Sequence, residues 1–191
     1  SSWIIEDFLL GHFLLPKHGA EQHCNASNIK SGSNAPNKGI HEAEANQFSQ
    51  LLLMPERFVS PAINNSIPDI NVLRAISYGF DMSFEAMSNR CVQLCKYPIA
   101  LVYSHKGTVR YCRRNKNIFK HRIPLDEGNL LPSTSQAANL QQPVNSISKI
   151  KQVNASVWLG VGHDELILEE QTYIQDKGYR VTLLRLLKRS N

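Results

Sequence analysis

Residues 41–55 read HEAEANQFSQLLLMP, and this stretch decides the fold class. Its apolar residues recur at helical spacing and Pro55 ends the run, which predicts a helix over residues 40–54. Within that helix Glu42 and Asn46 lie one turn apart on the same face. A zinc site of the HExxH type needs such a carboxylate as third ligand, beside two histidines four residues apart. The stretch is therefore interpreted as the helix of the third ligand.

The first two ligands of such a site should lie upstream. His41 cannot start the HExxH motif, because residue 45 is alanine. Residues 8–12 read FLLGH, inside a run of apolar residues that predicts a helix over residues 3–15. His12 occupies the place of the second histidine in this pentapeptide. It is therefore the upstream candidate for a metal ligand, paired with Glu42.

Four segments together carry a resemblance to a known family. GHFLLPKH, EAEANQFSQLLLMP, LRAISYGFDMSFEAMSNRCVQL and LEEQTYIQDKGYRVTLLRL resemble the ImmA/IrrE family of metallopeptidase regulators. Members show HExGH, then E-x-x-A-N-x-F followed by LLMP, then a pair of helices. The second of these motifs is the most specific, because many positions match at once. The resemblance covers nearly the whole chain.

The resemblance implies a cytoplasmic zinc endopeptidase that cleaves or disables a helix-turn-helix repressor, often in phages and mobile elements. In that family pattern His12 and Glu42 are metal ligands. Glu44 and Asn46 are then expected beside the groove that holds the substrate. Some members also have a GAF-like sensor half.

Two residues depart from the family pattern within the HExGH motif. Phe8 and Leu9 stand where the family has the first histidine ligand and the catalytic glutamate. We therefore expect zinc to be weakly bound or absent, and catalysis to be eroded, because general base work alone is worth about 10²–10⁴-fold in rate. Substitute ligands could come only from the polar loop that follows, through His18, His23 or Cys24.

The charge distribution suggests two domains. Residues 1–95 contain six Lys or Arg and nine Asp or Glu, whereas residues 96–191 contain fifteen and seven. The fold expected is α+β: a helical, peptidase-like domain over residues 1–95, a gluzincin-type remnant lacking the family's N-terminal strands, and a strand-rich, basic domain over residues 96–191. The second domain is expected to be mixed α/β and GAF-like.

Local patterns predict the elements of both halves. The segment DINVLRAISYGFDMSFEAMSNRCVQL predicts two helices split at Gly79, with Ser83 capping the second. YPIALVYS and TVRYCRR flank His105-Lys106-Gly107, which predicts a β-hairpin. After a polar loop, ASVWLG, LILEEQTYIQ and YRVTLLRLL are predicted strands, the last two joined at Asp176-Lys177-Gly178. In the helix over 40–54, one stripe formed by Ala45, Phe48, Leu51 and Leu52 is expected to face the core.

Three functions compete at this point. The chain is a working peptidase with substitute groups, an eroded member that binds its partner without cutting it, or a DNA-binding regulator that uses its basic C-terminal half. The second is preferred on the chemistry of Phe8 and Leu9. Weak, non-specific binding of nucleic acid by the basic half is expected in any case. The pair of helices split at Gly79 is compatible with a DNA-reading helix-turn-helix. Its second helix, however, offers few base-reading groups, namely Asn89, Arg90 and Gln93, and is therefore interpreted as a packing element.

The remaining features favour a cytoplasmic protein without membrane contact. No stretch reaches the roughly 18 to 20 apolar residues that cross a bilayer, and the N-terminus lacks a basic signal-peptide region. The four cysteines form no CxxC pair, which suits a reducing compartment. Cys91 and Cys95 are interpreted as plain core thiols.

Overall fold

A computed structural model describes residues 47–138, 141 and 143–187. The predicted helix over residues 3–15, the following loop and the first half of the helix over 40–54 lie outside these residues. Packing divides the chain between Phe58 and Val59. Whether residues 1–95 form a domain of their own stays a prediction.

Up to Phe58, the described residues are helical over 47–53, which agrees with the second half of the predicted helix. The helix ends before Pro55, with the Met54 N–H donating to the Gln50 carbonyl at 2.9 Å. Helix α1 then spans Glu56–Asn64, and the division at Phe58 falls inside it.

Helices α2, Ile70–Gly79, and α3, Phe84–Leu94, form the predicted pair. The Asp69 carboxylate caps α2 by accepting from the Val72 N–H at 2.8 Å. The Ser83 hydroxyl caps α3 by accepting from the Ala86 N–H at 3.2 Å, which confirms the prediction for that residue.

The C-terminal half is built on one antiparallel sheet. Its strands are β1 (Ile99–His105), β2 (Thr108–Arg114), β3 (Ser146–Ile147), β4 (Lys151–Asn154), β5 (Ile167–Ile174) and β6 (Tyr179–Leu186). The order is β2-β1-β6-β5, and β3 and β4 both pair with the outer edge of β5. The predicted hairpins are confirmed. Both turns use Lys-Gly with positive φ, at Lys106-Gly107 and Lys177-Gly178.

Both faces of the sheet are covered. On one face, α2 and α3 pack against β1 and β5 through three contacts. The Ile70 N–H donates to Gln171 Oε1 at 2.8 Å, the Phe84 and Tyr173 rings lie 5.2 Å apart, and the Ser88 and Tyr103 hydroxyls are 2.7 Å apart. The other face is covered by the connection between β2 and β5, which buries Phe119 and Trp158 against Val102 and Leu184. The chain is therefore mixed α+β, with helices ahead of an antiparallel sheet.

The prediction of a strand for ASVWLG is wrong. Its central residues form a short helix, α4, over Ser156–Leu159. Asn154 Oδ1 accepts from the N–H and the hydroxyl of Ser156, at 2.9 and 2.7 Å, and this starts the turn. Gly160, at φ 82°, ends it. The apolar run Val157-Trp158-Leu159 does not distinguish a strand from a turn of helix. Trp158 and Leu159 are both buried, as one turn of helix allows.

A buried carboxylate joins this connection to the sheet. Glu170 on β5 is fully buried, and its two oxygens accept from the Ala137 N–H at 3.1 Å and from Trp158 Nε1 at 3.3 Å. The Ala137 carbonyl in turn accepts from the Arg180 guanidinium on β6. Burial raises the pKa of Glu170 above its ordinary value, although the hydrogen bonds from Ala137 and Trp158 oppose that rise.

No helix among the residues that the structure describes is long and apolar enough to cross a bilayer.

The raised pKa of Glu170 predicts a pH-dependent stability. A carboxyl whose pKa is higher in the folded chain stabilises the fold most below its unfolded pKa, near 4.5, and that contribution is lost as the pH rises through the folded value. The free energy of unfolding of the wild type, minus that of Glu170→Gln, should therefore fall as the pH rises from 4.5 toward neutrality. Urea unfolding at a series of pH values measures this difference.

Glu127→Gln is the matched control, because Glu127 is an exposed glutamate in the same connection. The difference in free energy of unfolding between the wild type and Glu127→Gln should change little over the same pH range. A difference for Glu170→Gln that stays constant, or grows with pH, would contradict the assignment of this buried carboxylate as the titrating group.

Candidate functional site

The residues assigned to the zinc site and its groove lie outside the part of the chain that the structure describes. They are the ligand candidates His12 and Glu42, the substitutes His18, His23 and Cys24, the groove residues Glu44 and Asn46, and the departures Phe8 and Leu9. Their roles therefore stay predictions, and the described residues test only what adjoins them.

The described end of the predicted third-ligand helix does not pack as expected. Leu51 and Leu52 are 54% and 51% exposed, so the prediction that both belong to the core is wrong. Met54, just ahead of Pro55, is the buried residue of this segment, with 3% exposed. Helical spacing identifies the apolar residues, but Leu51 and Leu52 show that it does not decide which of them face the core.

The chemistry of the donor set does not fit a zinc centre of the family type. Catalytic zinc sites use three protein ligands and keep a fourth position for water. The side chain of Phe8 has no donor atom, and that of Leu9 cannot take a proton. Of the predicted ligands, His12 and Glu42 then provide two, and a third would have to come from His18, His23 or Cys24. Among residues 47–138, 141 and 143–187, no group of three or more His, Cys, Asp or Glu could hold a metal ion.

A cluster of polar side chains joins α3 to the hairpin β1–β2. The Tyr111 hydroxyl donates to Glu85 in the first turn of α3, and Arg110 donates to the same carboxylate at 3.3 Å. Tyr103 stacks on Tyr111 at 4.4 Å, while its own hydroxyl meets that of Ser88. Burial raises the pKa of both phenols, and the bond to Glu85 raises that of Tyr111 further. Both phenols therefore act as neutral hydrogen-bonding groups that fix α3.

Sequence reasoning missed this cluster. Glu85 and Tyr111 lie in different elements, so no motif spacing joins them. The one available signal was Glu85 itself, an acidic residue in the first turn of a helix, where the macrodipole favours negative charge. That signal indicates a helix start but does not identify the partner.

Helix α3 is a packing element, as the sequence predicted. Arg90 is 7% exposed and donates to Gln93 Oε1 at 3.1 Å, and the Asn89 amide donates to the Tyr111 hydroxyl at 3.4 Å. Arg90 and Asn89 are thus engaged in hydrogen bonds within the protein, and the exposed Gln93 is the acceptor for Arg90. Exposed positive charge is instead found on Arg113 and in the connection after β2, on Lys116, Lys120 and Arg122.

The cysteines in the described part of the chain are Cys91, Cys95 and Cys112. Cys91 and Cys95 are buried and free, which confirms their interpretation as core thiols. Burial raises the pKa of Cys91 to about 12 and that of Cys112 to about 11. Since the thiolate is the nucleophile and the metal ligand, neither of these residues is suited to such work near neutral pH.

The acidic and basic side chains that line a shallow cleft beside β5 all have partners within the protein. Glu169 pairs with Arg185, the Asp69 carboxylate caps α2, and Glu170 accepts from Ala137 and Trp158. The cleft is otherwise lined by Pro68, Ile150, Gln171 and Leu183.

Comparison with known proteins bears on residues 10–92, which match the peptidase M78 family model described as the IrrE N-terminal-like domain. Compared with curated proteins, the chain shows no significant match. The matched region begins at Leu10, inside the pentapeptide FLLGH, and ends in α3. It thus contains His12, the stretch from Glu42 to Pro55, and the pair of helices on which the resemblance rests. The match over residues 10–92 therefore supports an assignment to the IrrE-like peptidase M78 family, the ImmA/IrrE family that the sequence resembles.

Proposed function

We propose that this protein is an ImmA/IrrE-type regulator that binds a helix-turn-helix repressor and has lost most of its peptidase activity. The observation that carries the proposal is the pair Phe8 and Leu9, which directly precedes the matched region. Membership of the family supports the class of partner, since the resemblance implies a repressor protein as target. The two side chains support the loss of catalysis, because they remove one ligand and the base together.

In this proposal the N-terminal half is a gluzincin-type remnant. It keeps His12 and Glu42 as two ligands, and it binds zinc weakly or not at all. Glu44 and Asn46 lie at the groove that receives the partner. The protein works in the cytoplasm, which is where repressors and their regulators meet.

The C-terminal half is proposed to be GAF-like and to serve a sensing role. Support comes from its antiparallel sheet, with strand order β2-β1-β6-β5, and from the two helices packed on one face. Since α2 and α3 belong to the matched region, a change in the sheet would be transmitted directly to residues of the peptidase family domain.

Restoring the family residues should restore zinc binding. Phe8→His places a histidine four residues before His12, on the same face if residues 8–12 are helical as the family implies. The variant should retain zinc through dialysis against a mild chelator, with an affinity raised about tenfold or more, because it supplies the missing third ligand. Zinc per chain is measured by atomic emission.

Leu10→His is the matched control for this variant. It adds the same side chain two residues from His12, and residues at that spacing do not face each other on a helix. Equal zinc retention in the control, or no gain in Phe8→His, would mean that His12 and Glu42 do not converge on one site.

The repressor should be bound and left intact. The wild-type chain, mixed with a candidate helix-turn-helix repressor and supplied with Zn²⁺, should give a calorimetric binding signal and no cleavage product by mass spectrometry. The double variant Phe8→His/Leu9→Glu should gain cleavage, because it restores both the third ligand and the general base. Cleavage by the wild type at a rate like that of the double variant would overturn the loss of catalysis.

Binding of nucleic acid by the basic half is the second candidate function, favoured by the exposed cations that follow β2. We expect such binding to be weak and independent of sequence, because the phosphate contacts have no recognition helix beside them. Fluorescence anisotropy with two duplexes of unrelated sequence should give equal affinities, which fall steeply between about 50 and 200 mM salt. A strong preference for one duplex that survives physiological salt would favour the DNA-binding regulator instead.

A further inference from the structure

The connection between β2 and β5 brings two histidines together that lie far apart in the sequence. The rings of His121 and His163 have centroids 5.2 Å apart and planes at 85°, and both side chains are partly exposed. Both residues lie after residue 92, outside the region matched by the peptidase family. Neither belongs to the zinc site proposed above.

The separation suits a shared metal ion. A metal–nitrogen bond of about 2.1 Å, followed by about 1.1 Å from nitrogen to ring centre, puts two imidazoles at a tetrahedral angle about 5.2 Å apart. The observed centroid distance has this value. Imidazole nitrogens suit zinc, copper and nickel among the divalent ions.

His163 is held in the form that a metal ligand requires. Its Nδ1 lies 3.3 Å from the Gly160 carbonyl oxygen, which can only accept, so Nδ1 carries the proton. In the neutral ring the lone pair is then on Nε2, at the outer edge of the imidazole. A backbone carbonyl that fixes the second nitrogen is the usual support of a metal-ligating histidine.

Both histidines stand on segments that the fold fixes. Phe119 is fully buried, and its carbonyl accepts from Arg114 at 2.9 Å, which anchors the approach to His121. Beyond His121, Ile123 packs in the same core cluster as Leu159, at the end of α4. The pair is therefore positioned by buried residues on both sides.

We propose that His121 and His163 form a surface site for a divalent transition-metal ion such as Ni²⁺ or Zn²⁺, with water completing the coordination. Two protein ligands are fewer than a structural zinc site uses, so binding is moderate and exchangeable. The bound ion joins the segment after β2 to the segment after α4. It thereby stabilises the cover on one face of the sheet, because an ion bound only by the folded chain adds to its stability.

Titration of the full chain with NiCl₂ by calorimetry tests the site. His121→Gln and His163→Gln should each lose one binding event, or weaken it about tenfold or more, because a single histidine remains. His105→Gln is the matched control, since the His105 ring stacks on Tyr179 at 4.4 Å and its Nε2 faces the Lys177 carbonyl at 3.1 Å. Wild-type titration curves from both single variants would overturn the proposal.

A measurement on the wild type alone does not depend on how the variants fold. Diethylpyrocarbonate modifies accessible histidine nitrogens, and mass spectrometry locates the products. Ni²⁺ should protect His121 and His163 together and leave modification of His105 unchanged. Equal modification of His121 and His163 with and without Ni²⁺ would contradict a shared site.

Discussion

The structure depends on the complete burial of strand β1. Every residue from Ile99 to Ser104 is buried, although an antiparallel sheet commonly leaves one face to water. Each face therefore needs a cover. Alternate residues of β1 point to opposite sides, so Val102 meets the connection that contains Trp158, while Tyr103 meets Ser88 on α3. A chain segment that failed to cover either side would expose the central strand.

Polar groups in the interfaces between the sheet and its two flanking layers determine where each layer packs. Apolar packing alone is not directional, whereas Glu170 requires donors at defined positions and finds them on Ala137 and Trp158. On the opposite face Gln171, the next residue of β5, accepts from the start of α2. A shift of either cover would leave a buried acceptor without its donor, which costs about 1–3 kcal/mol. Neighbouring residues of one strand thus select the placement of both layers.

Sequence reasoning predicted what local chemistry decides and missed what distant contacts decide. The N-cap at Ser83 and the two Lys-Gly turns depend on residues close in the sequence. The helix pair and both hairpins could therefore be predicted. The prediction of a strand for ASVWLG failed because Asn154, just before it, starts a helical turn, and a short apolar run does not reveal that turn. In the candidate site, the family pattern assigned His12 and Glu42, but neither the Glu85–Tyr111 contact nor the approach of His121 to His163 follows from any spacing.

The loss of catalysis proposed above is compatible with the fold. The described part of the region that matches the peptidase family includes α2 and α3, which are held on the sheet by contacts of Ile70, Phe84 and Ser88. None of these contacts involves a metal or a general base. The packing of α2 and α3 on the sheet therefore does not need the zinc chemistry. Recognition of a partner rests on surfaces that packing holds in place, so it can persist where hydrolysis is lost.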